Sequence, residues 1–66
     1  TILAISYHNM GIEEEFMRNY ECALDWYEKS VKLLEEHAVN NPKLMMKFQK
    51  AYETAKSVRI AFRKDA

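Results

Sequence analysis

The sequence predicts an all-α protein made of an antiparallel helical hairpin followed by a long third helix. Its composition favours helices, because only one glycine and one proline occur in 66 residues, 48% of which are hydrophobic. Apolar residues recur at intervals of three and four in three segments, which places them on one face of each helix. Asn41 and Pro42 mark the break before the third segment. No segment has the alternating pattern of a β-strand.

The first helix is predicted over Ile2 to Glu15. Its predicted buried face combines apolar residues at helical spacing with two small residues beside them. These residues are Leu3, Tyr7 and Met10, with Ala4 and Gly11. A glycine inside a helix costs about 1 kcal/mol relative to alanine. A helix that retains one gains from the close approach of a neighbour, so Gly11 predicts tight packing against the second helix.

The second helix is predicted over Tyr20 to His37, after a weakly marked break at residues 16–19. Asn19 is the predicted N-cap, since its side chain can accept a hydrogen bond from the free amides of the first turn. Glu28 and Lys32 have the spacing and order of an ion pair along a helix. The predicted buried stripe contains Tyr20, Ala23, Leu24, Tyr27, Ser30, Val31 and Leu34.

The third helix is predicted from Pro42 to about Lys64. Asn41 can cap it, and Pro42 suits the first helical position because the amide it lacks has no partner within the helix. The predicted buried stripe contains Leu44, Met45, Phe48, Ala51, Tyr52, Ala55, Val58 and Phe62. We therefore divide the chain into a hairpin at 1–37, a linker at 38–41 and the third helix at 42–64.

The two parts of the chain carry opposite charge, although the net charge is zero. The first 41 residues hold three basic and eight acidic side chains, a net charge of −5. The remaining residues hold seven basic and two acidic side chains, a net charge of +5. Such halves attract each other at long range. One interpretation is complementarity within the fold, and the other is a basic docking face for an acidic partner.

The residues from Ala4 to His37 resemble one tetratricopeptide repeat, a helix-turn-helix unit of about 34 residues. The resemblance rests on large and small residues that alternate at the family's spacing in both helices. In order, these are Tyr7, Met10, Gly11, Tyr20, Ala23 and Tyr27. Two positions depart from the family. Glu14 stands where an aromatic residue is preferred, and Arg18 stands where a turn glycine is common.

The last third of the chain resembles part of the same pattern. Met45, Phe48 and Tyr52 have the spacing of the first helix of another repeat. The third helix is therefore predicted either to cap the hairpin or to begin a lengthened next repeat. We assign Phe48 and Tyr52 to structural packing, as we do the hairpin residues named above.

The resemblance implies a non-catalytic scaffold for protein–protein interaction, the terminal part of a repeat array within a larger protein or multiprotein assembly. The implied partner is a protein or peptide, with neighbouring repeats of the same chain or a second copy as further contacts. Ligands of the family lie mainly against the first helices of its repeats. The implied contact residues are Ile5, His8, Asn9, Ile12 and Glu13.

Three further residues are not clearly buried in a lone hairpin, namely Phe16, Met17 and Trp26. We expect them to pack against neighbouring repeats or to form a partner hot spot. Ile5 and Ile12 stand where chaperone-binding relatives have polar residues. No basic clamp for C-terminal carboxylates is therefore expected.

Catalysis is not predicted. His8 and His37 lie far apart, and the sequence has no glycine-rich phosphate loop. The single cysteine, Cys22, is interpreted as a small packing residue. No cofactor and no metal site is expected, since the adjacent glutamates at 13–15 point in different directions around a helix.

Two other interpretations stay open. One is a three-helix bundle of the microtubule-interacting-and-trafficking type, which binds short helical motifs. The other is a nucleic-acid-binding module built on the basic third helix. No apolar run approaches the roughly 20 residues needed to span a bilayer, and one cysteine cannot form an internal disulfide. We expect an intracellular, cytoplasmic protein, and the start at Thr1 suggests an excerpt of a longer chain.

Overall fold

The computed structural model describes residues 2–37 and 40–65, with side chains up to residue 61. It contains the helices α1 (Ile2–Phe16), α2 (Tyr20–Glu36) and α3 (Pro42–Asp65). The predicted all-α fold of three helices is confirmed. α2 packs against both other helices, whereas α1 and α3 contact each other only slightly. None of the described helices is both long and apolar enough to cross a membrane.

The turn between α1 and α2 is closed by backbone hydrogen bonds from Arg18 to Glu15 and from Asn19 to Glu14. Arg18 has a φ of 65°, a left-handed conformation that favours glycine. The predicted capping role of the Asn19 side chain is wrong, because that side chain makes no cap hydrogen bond. Its Nδ2 instead donates to the Glu14 carboxylate at 3.0 Å. The amide therefore ties the turn to α1 and leaves the first turn of α2 without a side-chain cap.

The start of α3 follows the prediction. The amide of Leu44 donates to Asn41 Oδ1 at 3.1 Å, and Pro42 is the first residue of the helix. Asn41 thus satisfies one of the amides that a helix start leaves without an intrahelical partner. Residues 38 and 39 of the predicted linker lie outside the described residues.

Replacing Asn41 with alanine is expected to lower the free energy of unfolding by about 1 kcal/mol, because α3 loses its cap. Asn19→Ala is the matched control, since it removes an exposed hydrogen bond that caps no helix. Urea denaturation of both variants, followed by circular dichroism, measures the difference. Equal losses of stability in the two variants would contradict the assignment of Asn41 as a cap.

The core lies along α2, whose predicted stripe is confirmed apart from one residue. Ala23, Leu24, Tyr27, Ser30, Val31 and Leu34 are buried, and Tyr20 is half-buried. Two clusters divide this core. One joins Val31 and Leu34 to Ala4 of α1 and Phe48 of α3, and the other joins Ala23, Leu24 and Tyr27 to Ala55 of α3. α3 is therefore anchored at two points along α2.

The buried side of α3 also follows the predicted stripe. Phe48 and Ala55 are buried. The other described members are partly buried, namely Leu44, Met45, Ala51, Tyr52 and Val58. The side chain of Phe62 lies outside the described residues. Tyr52 packs against both core clusters, in agreement with its predicted packing role.

The predicted buried face of α1 requires a correction. Leu3 and Met10 are exposed, at 51% and 39%, and Tyr7 is only half-buried. The buried residues are Ala4, His8 and Gly11. The helix therefore buries the small residues Ala4 and Gly11 together with His8, and leaves Leu3 and Met10 exposed. At Gly11 the two helices approach so closely that a larger side chain would not fit.

Gly11 lies where α1 closely approaches α2, as predicted. A Cβ atom built on Gly11 would lie 2.5 Å from Tyr27 Cε1 and 2.6 Å from Tyr27 Cδ1. Real Cβ atoms do not approach other carbon atoms this closely. The glycine is thus required by space and not by backbone conformation, since its φ is not positive.

Ion pairs join oppositely charged parts of the fold. Arg59 Nη1 of α3 lies 3.2 Å from Glu21 Oε2 of α2, which favours the interpretation of complementarity within the fold. The predicted pair of Glu28 and Lys32 is present at 3.4 Å. Both pairs lie near the surface, where such contacts contribute less than about 1 kcal/mol each. Only the pair of Arg59 and Glu21 joins α3 to α2, and its contribution to the docking of α3 is therefore small.

Candidate functional site

A groove of about 350 Å³ lies between α1 and α3, which leave space between them because they contact each other only slightly. It is lined by His8, Ile12 and Glu15 from α1, Tyr27 from α2, and Lys47, Lys50, Ala51 and Thr54 from α3. We call it the α1–α3 groove. Its size is close to the lower limit of small-ligand sites, about 300 Å³. It can therefore admit one or two side chains of a bound segment.

His8 forms part of the inner wall of the α1–α3 groove and is only 5% exposed. Its ring stacks on Phe48 with the ring centroids 4.2 Å apart and the planes at 5°. Tyr27 contacts the same ring, with the centroids 5.4 Å apart. The imidazole is thus held by aromatic rings of α2 and α3. His8 is the point at which all three helices meet.

The imidazole of His8 lacks the pairing that buried polar groups ordinarily have. Its Nδ1 is buried and has no hydrogen-bond partner among the described residues. Such a group costs about 1–3 kcal/mol of stability. Burial lowers the pKa of His8 below its ordinary value, and the positive charge of Lys47 lowers the pKa further. The imidazole is therefore neutral at neutral pH.

The lowered pKa of His8 predicts a loss of stability in mild acid. As the pH falls below the ordinary value of 6.5, the unfolded chain takes up a proton at His8 while the folded chain does not. Stability is therefore complete above about pH 6.5 and decreases below it. Melting temperatures at about pH 7.5 and about pH 5.5 measure this change.

Two variants separate His8 from the other titrating groups. His8→Phe keeps an aromatic ring in the stack and should reduce the loss of melting temperature between these pH values. His37→Gln, at an exposed position, should leave the loss unchanged. An equal pH dependence in wild type and His8→Phe would contradict the prediction.

Tyr27 and Glu15 close one side of the α1–α3 groove. The Tyr27 hydroxyl donates to Glu15 Oε1 at 3.0 Å. Burial raises the pKa of Tyr27, and its hydrogen bond to Glu15 and the charge of Glu15 raise the pKa further. The hydroxyl stays protonated and keeps the carboxylate engaged. Glu15 thus already has a partner inside the protein.

Lysines border the α3 side of the groove. Lys47 and Lys50 line it, and Lys43 lies one turn before Lys47 on the same helix. All three are exposed and also line a shallow depression on the surface of α3. The charges therefore follow the rim of the groove and face solvent.

Next to the groove, α1 presents a stripe of exposed residues at alternating intervals of three and four. We call it the α1 stripe, and it consists of Ile2, Ile5, Asn9, Ile12 and Phe16. Ile2 is 83% exposed and Phe16 is 90% exposed. This spacing places the residues on one side of a helix. Ile12 belongs to both the stripe and the groove.

The structure brings together some of the residues that the resemblance implies for partner binding. Ile5, Asn9 and Ile12 are exposed on the α1 stripe, and Glu13 is exposed beside it. His8 differs from this expectation, because it is buried and directs its ring into the core contact with Phe48. A partner can reach it only through the groove.

Trp26 lies apart from these residues, on α2. It is half-buried, and its ring centroid lies 5.5 Å from the ring centroid of Tyr7. The Nζ atom of Lys29 lies 4.8 Å from the Trp26 ring centroid. Trp26 and Tyr7 therefore pack together within the hairpin.

A second depression, of about 380 Å³, lies at the end of α1 and is lined by Ile12, Glu13, Phe16 and Met17.

Sequence reasoning did not identify Lys47, Lys50, Glu15 or Tyr27 as groove residues. The only signal for the lysines was the basic charge of the third helix, which carries no information about which lysines face α1. Glu15 and Tyr27 belong to different helices, and their hydrogen bond depends on how closely those helices pack. The pairing of such distant residues has no local sequence signal.

Residues 2–37 and 40–65 contain no group of three His, Cys, Asp or Glu side chains that could hold a metal ion. Cys22 is exposed, which differs from its interpretation as a packing residue. In comparisons with protein-family models, curated proteins and solved structures, none matched this chain.

Proposed function

We propose that this chain is a non-catalytic protein-interaction module that binds a polypeptide segment along the α1 stripe and the adjoining groove. One observation carries the proposal: α1 buries Ala4 and Gly11 and exposes large apolar residues, namely Ile2, Ile5, Ile12 and Phe16. A helix that only contributed to its own core would do the reverse. Contiguous exposed apolar surface marks interaction sites in proteins.

The packing of the helices supports a tetratricopeptide-like unit over a closed bundle of the microtubule-interacting-and-trafficking type. In a closed three-helix bundle each helix packs against both others along its length, whereas α1 and α3 here have few close backbone contacts and meet where Ala4 and His8 pack against Phe48. Such a unit gains stability from neighbours. Phe16 and Met17, both exposed, are suited to contact a neighbouring repeat in an array or larger assembly.

An intracellular, cytoplasmic location is part of the proposal. The single cysteine, Cys22, is free and exposed. An unpaired exposed thiol suits a reducing compartment, where it is not driven into a disulfide.

A peptide-display selection against the purified chain tests the proposed function. We expect enriched peptides that share apolar residues at a fixed spacing and that compete with one another. Ile5→Ser and Ile12→Ser should each abolish their binding while circular dichroism stays unchanged. Met46→Ser is the matched control, because Met46 is 69% exposed on α3 and lies outside the stripe.

Two results would overturn the proposal. One is a selection that enriches no peptide above background. The other is a set of peptides whose binding is lost equally in Met46→Ser and in the two stripe variants. Retained binding in the control together with loss in both isoleucine variants supports it.

Self-association is the second candidate, and the symmetry of the α1 stripe favours it. Asn9 stands at the centre of the stripe, with Ile2 and Phe16 seven residues away on either side, Ile5 four residues before it and Ile12 three residues after it. Two antiparallel copies of α1 would therefore pair Asn9 with Asn9 and Ile2 with Phe16, and would place Ile5 close to Ile12. Sedimentation analysis over a range of concentrations decides: a monomer at all concentrations rules out this candidate.

A further inference from the structure

The imidazole of His8 carries a buried polar atom that has no partner among the described residues. It is only 5% exposed, and its Nδ1 has no hydrogen-bond partner within the described part of the chain. Buried polar side chains are nearly always paired, so each exception calls for a physical reason. His8 also lines the α1–α3 groove, so a polar group bound there would lie beside the imidazole.

The charges around the groove indicate the sign of that partner. Lys47 and Lys50 line it from α3, and Lys43 continues the row one turn earlier. The one acidic side chain in the lining, Glu15, already accepts a hydrogen bond from the Tyr27 hydroxyl. The groove thus offers two ammonium groups and an imidazole against one carboxylate, which keeps its charge but already has a hydrogen-bond donor. An anionic group from outside the chain complements this set.

We propose that the α1–α3 groove binds a carboxylate side chain of an acidic polypeptide partner, held between the imidazole of His8 and the ammonium group of Lys47. This inference rests on the proposed function, because the rest of the partner would lie along the α1 stripe. The occupant is a glutamate or aspartate flanked by apolar residues. The apolar residues match Ile5 and Ile12, and the carboxylate matches the groove.

Binding of a carboxylate here is coupled to protonation of His8. In the free protein burial and Lys47 lower the His8 pKa. A carboxylate beside the imidazole offsets the charge of Lys47 and favours the imidazolium, which can donate from both ring nitrogens. The charged and titratable groups that face this point are Lys47 and Lys50 from α3, Tyr27 from α2 and Glu15 from α1. Affinity therefore rises as the pH falls.

The size of this pH effect has an upper limit. Uptake of one proton on binding raises the affinity by at most about tenfold for each pH unit. The rise holds only while the His8 imidazole is neutral in the free protein and the partner carboxylate is ionised. We therefore compare the affinities at about pH 7.5 and about pH 5.5.

A pair of matched peptides tests the proposal. The probe is a short peptide of alternating glutamate and leucine, acetylated and amidated so that it carries no terminal charge. The control peptide has glutamine in place of each glutamate. Nuclear magnetic resonance titrations follow the ring signals of His8 at about pH 7.5 and about pH 5.5. We expect the glutamate peptide to bind at least about tenfold more tightly than the control, to bind more tightly at the lower pH, and to raise the pKa of His8.

Variants of the protein separate a binding role from a packing role. Lys47→Gln should weaken binding of the glutamate peptide, whereas Lys32→Gln, the same change on the outer side of α2, should not. His8→Phe retains the aromatic stack and removes the unpaired nitrogen. It should raise the melting temperature while abolishing the pH dependence of binding. A His8→Phe variant that binds the glutamate peptide as wild type does, with the same pH dependence, contradicts the proposal.

The outcomes distinguish this proposal from the proposed function. Equal binding of the two peptides overturns the carboxylate site but leaves the peptide-binding stripe standing. If neither peptide binds but the display selection yields ligands without acidic residues, the carboxylate site is again overturned and the peptide-binding stripe stands. Failure of both peptides and of the display selection overturns both. A single-stranded DNA oligonucleotide is titrated in parallel. If DNA binds more tightly than the glutamate peptide and its binding does not depend on pH, the nucleic-acid alternative is favoured and this proposal is overturned.

Discussion

Replacing Gly11 with leucine is expected to leave the chain largely unfolded, because α1 approaches the ring of Tyr27 at this position. Even a single added carbon would lie 2.5 Å from that ring. Tyr27 is 1% exposed and donates a hydrogen bond to Glu15, so its ring cannot move aside without further losses. Overpacking of a core costs about 1–3 kcal/mol or more. A domain of this size has about 3–10 kcal/mol in total, and leucine is much larger than the space.

Alanine at the same position gives a measurable version of this effect. Gly11→Ala gains about 1 kcal/mol in helix propensity but meets the Tyr27 ring, so we expect a net loss of about 1–2 kcal/mol. In a Tyr27→Leu background the ring is gone. There the same substitution should be neutral or stabilising. Urea denaturation of the four proteins in this double-mutant cycle measures the coupling directly.

Two results would contradict this account of Gly11. One is an equal effect of Gly11→Ala in the presence and absence of the Tyr27 ring. The other is a Gly11→Leu variant that keeps its melting temperature but loses a partner. The second result would move Gly11 from the packing of the hairpin to the binding surface.

α2 was the most predictable element, because its polar and apolar residues are cleanly separated. Six members of its predicted stripe are buried, and Tyr20 at its first turn is half-buried. α1 was predicted at the right place in the chain, but only Ala4 and Gly11 of its predicted face are buried. Leu3, Tyr7 and Met10 follow helical spacing, and so do Ala4, His8 and Gly11. Spacing alone cannot choose between two adjacent stripes when both contain apolar residues.

Gly11 nevertheless indicates which of the two stripes of α1 faces α2. Close approach at one glycine brings the residues on its own face, Ala4 and His8, to the same contact. The larger residues must then turn outward.

The residues that can cap a helix show a similar limit of prediction from sequence. Asn41 caps α3 as predicted, with Pro42 fixing the helix start, whereas the equally plausible Asn19 bonds to Glu14 across the turn.

The candidate site was only partly accessible to sequence reasoning. The resemblance led to Ile5, Asn9 and Ile12, which are exposed on one side of α1. It could not show that the ring of His8 stacks on Phe48, because no periodicity relates residues on α1 and α3. The groove, its lysines and the unpaired imidazole follow from how α3 docks on α2. Docking depends on the packing of complete helix faces and not on any single motif.

Replacing Phe48 with alanine is expected to detach α3 from the hairpin. Phe48 is 1% exposed, packs in one core cluster with Ala4, Val31 and Leu34, and stacks on His8. Removing such a side chain costs about 3–5 kcal/mol. That loss is comparable to the whole stability of a domain of this size. Urea denaturation should show a much lower midpoint, with part of the helical circular dichroism lost before the main transition.

Two control variants show whether the loss comes from this core contact. Phe48→Leu keeps most of the apolar volume and should cost clearly less than Phe48→Ala. Met46→Ala, at an exposed position on the same helix, should change stability by less than about 0.5 kcal/mol. A loss in Phe48→Ala no larger than that in Met46→Ala would contradict the docking of α3 described above.

The nuclear magnetic resonance signals of the His8 ring provide a second measurement, which reports the surroundings of His8 and not the overall stability. In Phe48→Ala the imidazole loses its stacked neighbour and its burial, so its pKa should return toward its ordinary value. In Phe48→Leu, where α3 stays docked, the pKa of His8 should remain low because burial and Lys47 still act on it. A pKa of His8 that is equally low in wild type and in Phe48→Ala would mean that α3 does not bury this residue. The α1–α3 groove would then have no wall on its α3 side, and both the docking of α3 and the proposed carboxylate site would be wrong.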